Sequence, residues 1–229
     1  MISMVVFDMA GTVVNEQNVV YKTLQKALNA GGIPVTLEQV LADGAGKEKK
    51  AAIIDIAEKY APGQPSAAID KMFQHFLEEL DKAYADLDVI PIEGAEEVFE
   101  LLIENGIWVV LNTGYNRETA EKLIAKLGWI KEDHFDELVT ASDVPNARPH
   151  PDMILHAMEL FEMSDASEVL KIGDSNIDIE EGKNAGCGIT VGITTGAQTR
   201  DQLTAASPDY IIDSLMELPG ILGIAKEKS

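Results

Sequence analysis

The sequence predicts an α/β protein: a doubly wound parallel sheet interrupted, straight after its first strand, by an all-helical insertion. Three observations point there. Short apolar runs of strand length alternate with amphipathic helical stretches over the C-terminal part of the chain. Those runs are apolar throughout, as strands covered by helices on both faces must be. Finally, about 75 residues after the first run contain no convincing strand.

The elements follow in order. "MVVF" (4–7) is the first strand. After it come "NVVYKTLQKALNAGG", "GKEKKAAIIDIAEKY" and "SAAIDKMFQHFLEELDKAYADL", each with apolar residues at three- and four-residue steps and each ending in Gly, Pro or a polar turn. The expected division is a helical cap over 15–88 and an α/β core over 1–14 and 89–229. "VIPIEG" (89–94) is expected to return the chain to the sheet. Strands follow at 108–111, 137–140, 169–173, 189–193 and 210–212, with helices over 94–105, 116–127, 150–162 and 177–185, so this half reads as repeated βα units. Ligands of such sheets sit at the carboxyl ends of the strands. The insertion would emerge beside that site and could cover it.

The 229 residues carry 18 basic against 39 acidic side chains, a net charge of −21. That balance disfavours nucleic acid and anionic membrane as partners. It also requires any anionic substrate to be held by a locally positive site. The single cysteine, Cys187, leaves no internal disulfide and suits a reducing cytosol. No basic segment precedes the first strand, and apolar runs such as "IWVVL" fall far short of the ~20 residues that span a bilayer. A soluble, cytoplasmic protein is expected.

Four strand ends carry chemistry. The first gives Asp8, Gly11 and Thr12; the second, "LNTGYNRE", gives Thr113 and Gly114 at the start of a helix, where free N–H groups can cradle an anion. "NARPHPD" offers Arg148, and "KIGDSNIDI" offers Asp174 and Asp178, four apart and so able to share a helical face. Alone, each is bland: an Asp after a strand is usually a cap or a turn residue. Together they supply acids for a hard divalent cation, a hydroxyl and amides for phosphate oxygens, and one fixed cation, the parts phosphoryl transfer needs.

In this order "DMAGT", "NTG", "RP" and "GDSNID" resemble the four motifs of the haloacid dehalogenase superfamily of phosphohydrolases, over nearly the whole chain. The insertion resembles the helical cap of that superfamily's first cap class (C1), set on a Rossmann-like core. The resemblance implies that Asp8 is a nucleophile forming an aspartyl-phosphate. It implies that Thr12, Thr113, Gly114 and Tyr115 face the substrate and that Arg148 steadies both the phosphoryl group and Asp8. Mg²⁺ would sit on Asp8, the carbonyl of Ala10 and Asp174, with Asp178 nearby or ligating.

Position 10 departs from the phosphatases of that superfamily, which carry there a second Asp as general acid and base, help worth ~10²–10⁴-fold. Ala10 cannot supply it. The phosphonatase branch, which cleaves the carbon–phosphorus bond of phosphonoacetaldehyde after a cap lysine forms a Schiff base, reads Asp-x-Ala-Gly-Thr here. It also shares the Arg of the third motif and the Thr-Gly-Tyr-x-Arg-Glu run, present as Thr113 to Glu118. By that resemblance Lys47, three residues after Gly44, is the imine-forming lysine. Independently, Lys47, Lys49 and Lys50 crowd a helix start, where the macrodipole and neighbouring cations lower an amine's pKa; the plainer reading is a solvated basic face. "GAGK" is no P-loop, because Leu41 and Glu48 stand where that motif needs Gly and Ser or Thr. Three places differ from the branch: Asp43 for Met, Lys50 for His, and Asn18 for Cys.

His75, His134, His150 and His156 show no metal-binding spacing, though His150, beside Arg148, is either a pocket residue or a turn residue. Trp108 and Trp129 read as packing. The stretch 73–86 reads as an amphipathic cap helix and, since the phosphonatase branch dimerises through its caps, as a candidate homodimer surface. The expected substrate is a small phosphonate or, alternatively, a phosphate ester or anhydride with a good leaving group; a non-catalytic binder of phosphorylated ligands is the third reading.

Overall fold

The computed structural model describes residues 1–224; the end of the expected core, 225–229, lies outside them. Six parallel strands form the main sheet: β1 (Met4–Asp8), β4 (Trp108–Thr113), β5 (Glu137–Thr140), β6 (Val169–Gly173), β7 (Ile189–Ile193) and β8 (Tyr210–Ile212), in the order β5-β4-β1-β6-β7-β8. Alternate residues of β1 serve different cores. Val5 and Phe7 face a large cluster with Phe99 and Leu102, whereas Met4 and Val6 face a second one with Met153, Ile154 and Ala157. Burial on both faces explains the uninterrupted apolar run. The helices α5 (Ala95–Glu104), α6 (Arg117–Leu127), α7 (Asp152–Leu160), α8 (Asn176–Ala185), α9 (Arg200–Ala205) and α10 (Leu218–Leu222) cover the sheet, so the expected α/β, doubly wound class holds.

β1 is central, with β4 on one side and β6 on the other; Phe7 lies level with both Leu111 and Ile172, and Asp8 with Asn112. The chain therefore reverses its direction of travel across the sheet at β1, and the carboxyl ends of these three strands form a crevice of the kind that binds ligands.

Four helices occupy the insertion: α1 (Val19–Ala30), α2 (Leu37–Gly44), α3 (Lys49–Tyr60) and α4 (Ser66–Asp86). The apolar periodicity gives three of them. The fourth, α2, is announced by a capping box: Thr36 Oγ1 accepts the Gln39 N–H at 3.2 Å and Gln39 Oε1 accepts the Thr36 N–H at 2.8 Å. Leu24, Leu28, Ile53, Ile56, Phe76 and Leu80 from these helices join the same cluster as Phe7.

One expectation is corrected. The 89–94 segment does not rejoin the main sheet: β3 (Ile90–Pro91) pairs antiparallel with β2 (Val14–Asn15), forming a two-stranded ribbon where the chain leaves and re-enters the core. Pro91 has no N–H to give, which unfits this segment for a central strand. Among the described residues no helix is long and apolar enough to cross a membrane.

Candidate active site

The site begins with the turn after β1. The N–H groups of Thr12, Val13 and Val14 all donate to the Met9 carbonyl, at 3.2, 2.9 and 2.8 Å, and the Gly11 N–H donates to the Val14 carbonyl at 2.9 Å. Gly11 has φ +86°, and a Cβ there would run into the Asp174 carboxylate and approach the Gly196 Cα to 2.9 Å. Only glycine serves at this position. The turn leaves Asp8 facing the crevice, with Thr12 Oγ1 donating to its Oδ2 at 3.3 Å and Ala10 buried beside it.

Arg148 ties the pieces together. Its Nη1 lies 2.6 Å from Asp8 Oδ1 and 3.0 Å from Asp178 Oδ1, its Nε donates to Glu181 Oε2 at 3.0 Å, and its Nη2 donates to the Asn112 carbonyl at 2.8 Å and to the Asn112 side-chain oxygen. Burial works against its charge, yet Asp178, Glu181 and Asp8 outweigh that and raise its pKa further. Lys171 adds a second buried cation, 2.9 Å from Asp178 Oδ1 and 3.4 Å from Glu181 Oε2. For Asp178, burial pushes the pKa up, but Arg148 and Lys171 overrule it and hold the group below the usual carboxylate range. Lys171, Glu181 and Asn112 are absent from the expected site. A lysine in the middle of a doubly buried strand is the signal that could have found the first, since such a charge requires partners.

Asp174 stands differently. Its Oδ2 accepts the Ala197 N–H at 2.6 Å, while burial and the charges of Asp8 and Asp178 push its pKa well above the usual value. Asp8 is raised too, by burial and Asp178, with Arg148 and Lys171 pulling back. Oxygens of Asp8, Asp174 and Asp178 lie within 4.8 Å of one another, all buried. An all-oxygen set of mutually repelling carboxylates fits a hard divalent cation.

At the end of β4, the Thr113 hydroxyl accepts the Tyr115 N–H at 3.2 Å. A Cβ on Gly114 would lie 2.9 Å from the Lys47 carbonyl oxygen and 3.0 Å from that of Gly46. The cap thus rests its backbone directly on this glycine. Gly46 also accepts from Arg148 Nη1 at 3.5 Å and donates its N–H to the Tyr21 hydroxyl at 3.1 Å.

The cap lysine that faces the site is Lys49, not Lys47. Glu48 caps α3, accepting the N–H groups of Lys50 and Ala51 at 2.9 and 2.8 Å, so Lys47 lies before the helix and Lys49 is its first residue. The Lys47 side chain turns outward to Asp55, with Nζ 2.5 Å from Oδ2. Lys50 pairs with Asp70 at 2.7 Å on the exposed side. Lys49, 7% exposed, donates Nζ to the Lys47 carbonyl at 2.6 Å and lies over the rings of Tyr21 and Tyr115, at 5.3 and 5.4 Å from their centroids. Burial lowers its pKa to about 8, against the charge of Asp8 and aided by that of Arg148. At this helix start the depressed amine is that of Lys49, and burial rather than the helix end is the main cause.

The other places are plain. Asp43 pairs with Lys59 at 2.6 Å and accepts from the Tyr60 hydroxyl at 2.8 Å, Asn18 stands at the start of α1 with φ 56°, and His150 is an exposed turn residue. Trp129 is buried and Trp108 packs on Phe161 with ring centroids 4.6 Å apart.

The haloacid dehalogenase-like hydrolase family model matches residues 5–192. The chain belongs to that family and is a hydrolase of the haloacid dehalogenase superfamily. Among curated relatives it is similar to a phosphonoacetaldehyde hydrolase of Latilactobacillus sakei, 30% identical with 96% of this chain and 95% of that protein covered. It is also similar to one of Bacillus mycoides, 35% identical over 86% of this chain and 77% of that one. Among solved structures, a phosphonoacetaldehyde hydrolase-like protein from Oleispira antarctica superposes with TM-score 0.81 at 25% identity, covering 97% and 91% of the two chains. A hydrolase from Pseudomonas syringae shares the fold at TM-score 0.85 and 20% identity, covering 98% and 100%.

Proposed function

We propose that the protein hydrolyses the carbon–phosphorus bond of phosphonoacetaldehyde or a closely related aldehyde phosphonate. The observation that carries this reading is a buried cap amine, Lys49, set over a nucleophile site that has Ala10 where a phosphatase needs its acid. The curated relatives named as phosphonoacetaldehyde hydrolases support it.

The neutral Lys49 amine adds to the aldehyde, and loss of water gives an imine. Asp8 attacks phosphorus; the carbon–phosphorus bond breaks and its electron pair enters the protonated imine, leaving an enamine. Protonation at carbon and hydrolysis release the aldehyde and restore Lys49, while water hydrolyses the aspartyl-phosphate. No alkoxide leaves at any point, so the leaving group needs no acid at position 10 and Ala10 costs the carbon–phosphorus cleavage step nothing. Arg148 steers Asp8 and neutralises phosphonate charge, and the Thr113 hydroxyl, which accepts the Tyr115 N–H, keeps its own proton to donate to the same oxygens, beside the Gly114 N–H. Mg²⁺, held by Asp8, Asp174 and the carbonyl of Ala10 with Asp178 behind them, would supply charge neutralisation between nucleophile and substrate.

The test is reductive trapping: borohydride added during turnover of phosphonoacetaldehyde should fix a two-carbon adduct on a cap lysine, located by mass mapping, alongside phosphate release. The second reading, a phosphatase for esters or anhydrides with good leaving groups, is favoured by Ala10 alone, which costs such a reaction little. It predicts phosphate release from those compounds without an adduct.

A further inference from the structure

Condensing an amine with an aldehyde needs a proton carrier: nitrogen must shed a proton, and the carbinolamine hydroxyl must gain one to leave as water. The groups described so far are committed elsewhere. Lys47 and Lys50 hold Asp55 and Asp70, Arg148 keeps its proton, and Asp8 is needed as a nucleophile.

We propose that Glu16 is the acid–base partner of Lys49, exchanging protons with it and with the carbinolamine through the Tyr84 and Tyr115 hydroxyls. This rests on the reading that Lys49 forms the imine.

Glu16 lies in the linker between β2 and α1 and is 2% exposed. Its Oε2 accepts the Val20 N–H at 2.9 Å and the Tyr84 hydroxyl at 3.3 Å; that hydroxyl lies 2.9 Å from the Tyr115 hydroxyl, and the Tyr115 ring underlies Lys49 Nζ. A carboxyl and two phenols thus form one buried hydrogen-bonded sequence from the linker through α4 to the β4–α6 turn, and the α3 amine lies over the ring of the last phenol, 5.4 Å from its centroid. A helix cap alone does not account for it. Capping α1 requires an acceptor only, which a surface Ser or Asp provides, whereas this carboxyl is buried with no ion-pair partner among the described residues, an unfavourable arrangement unless the group works as an acid. The charged and titratable groups facing the pair are Lys49, Tyr84, Tyr21 and Tyr115 around Glu16, and Asp8, Arg148, Glu48 and Glu16 around Lys49. Burial lifts Glu16 to about 7 and lowers Lys49 to about 8, so near pH 7.5 the pair holds one proton between them. Either group can then hand it over: Lys49 becomes the neutral nucleophile when Glu16 takes the proton, and Glu16 returns it to the departing hydroxyl.

The experiment follows imine formation by rapid borohydride quench of phosphonoacetaldehyde mixed with the full chain, from pH 6 to 9.5. It compares wild type, Glu16→Gln and Tyr84→Phe. The Gln amide oxygen still accepts the Val20 N–H but carries no exchangeable acid proton. Wild type should show a rate maximum between pH 7 and 8, with the adduct on Lys49. Glu16→Gln should form it at least tenfold more slowly, with the alkaline descent gone and the rate rising to a plateau. Tyr84→Phe, which keeps the ring and cuts the hydroxyl chain, should slow it severalfold and flatten the same descent. A wild-type rate and profile in both variants, or slower rates with the wild-type profile unchanged, overturns the assignment and leaves Glu16 a helix cap. An adduct on Lys47 also overturns it while sparing the phosphonatase reading, and no adduct in wild type overturns both.

Discussion

The strand-end floor of this site and its helical roof both bury ionisable groups, but they compensate them in opposite ways. On the floor, Asp8, Asp178 and Glu181 pair directly with Arg148 and Lys171, at 2.6–3.4 Å, so that each carboxyl meets a cation. On the roof, Lys49 and Glu16 have no ion-pair partner among the described residues; they meet backbone carbonyl or N–H, tyrosine rings and phenol hydroxyls, and both titrate near neutrality. Fixed charge suits phosphoryl transfer, where developing charge on oxygen must meet a prepositioned field. Titratable charge suits imine chemistry, where one nitrogen must be ammonium and amine in the same cycle. On the proposed reading, the two regions divide one reaction between them.

The largest expected effect lies on the floor. Asp8→Asn should lower phosphate release from phosphonoacetaldehyde by ~10³-fold or more while leaving the melting temperature close to wild type, because an amide does not attack phosphorus. Stripping divalent cations with excess chelator should abolish turnover as well, since Asp174 and Asp8 would then face an anionic substrate without neutralisation. Turnover within tenfold of wild type in either case would remove the floor from the chemistry.

The roof is tested by a pair of lysines. Lys49→Arg should lose about 10²-fold or more in phosphonoacetaldehyde cleavage, because a guanidinium stays protonated. Lys47→Arg should stay within about threefold, since its side chain serves only the exposed pair with Asp55 and such pairs contribute little. The reverse ranking would restore Lys47 and break the contrast between floor and roof at its central residue.

This pair also marks how far the sequence could be read. The sheet, its strand ends and the residues Asp8, Thr113 and Asp174 were legible, because a buried strand followed by a short turn fixes where each side chain goes to within one residue; Arg148, eight residues beyond β5, was legible only by its motif. The cap was legible as helices but not in phase. Whether Lys47 or Lys49 enters the site depends on where α3 starts, and that is set by Glu48 folding back as its cap, a choice between neighbouring residues that apolar periodicity does not resolve. Glu16, Tyr84 and Tyr115 come from three separate segments, and only tertiary packing brings them together. Lys171 and Glu181 carried a signal, charge inside a buried pattern, that went unused.

Ala10→Asp has a smaller expected effect and opposite signs for competing readings. A new buried carboxylate near Asp8 should raise the Lys49 pKa, and one unit leaves about tenfold less neutral amine at a given pH. Cleavage of phosphonoacetaldehyde should therefore fall about tenfold. If instead the rate on a simple alkyl phosphate rises by ~10²-fold and Lys49→Arg leaves that rate unchanged, the protein is an ester phosphatase that lacks its acid.

The smallest effect concerns stability and asks whether the roof truly titrates. Glu16 passes from its ordinary 4.5 in the unfolded chain to about 7 when folded, because burial disfavours the carboxylate. Below pH 4.5 the group is protonated in both states and costs nothing. As pH rises from 4.5 to 7 the unfolded chain releases the proton while the folded chain retains it, so folding loses about 3 kcal/mol across that window and no more above it. Glu16→Gln removes the titration and keeps an acceptor for the Val20 N–H. Lys49 changes protonation on unfolding only between about 8 and its ordinary 10.5, so it stays out of the comparison. Relative to wild type, the variant's melting temperature should therefore rise by roughly 6–12 °C between pH 4.5 and pH 7.5, the attraction between Glu16 and Lys49 being already contained in the folded value of about 7. A difference that stays constant with pH would mean that Glu16 is ionised throughout and locked to Lys49 as a fixed pair, making the roof a second floor and leaving the amine without its acid.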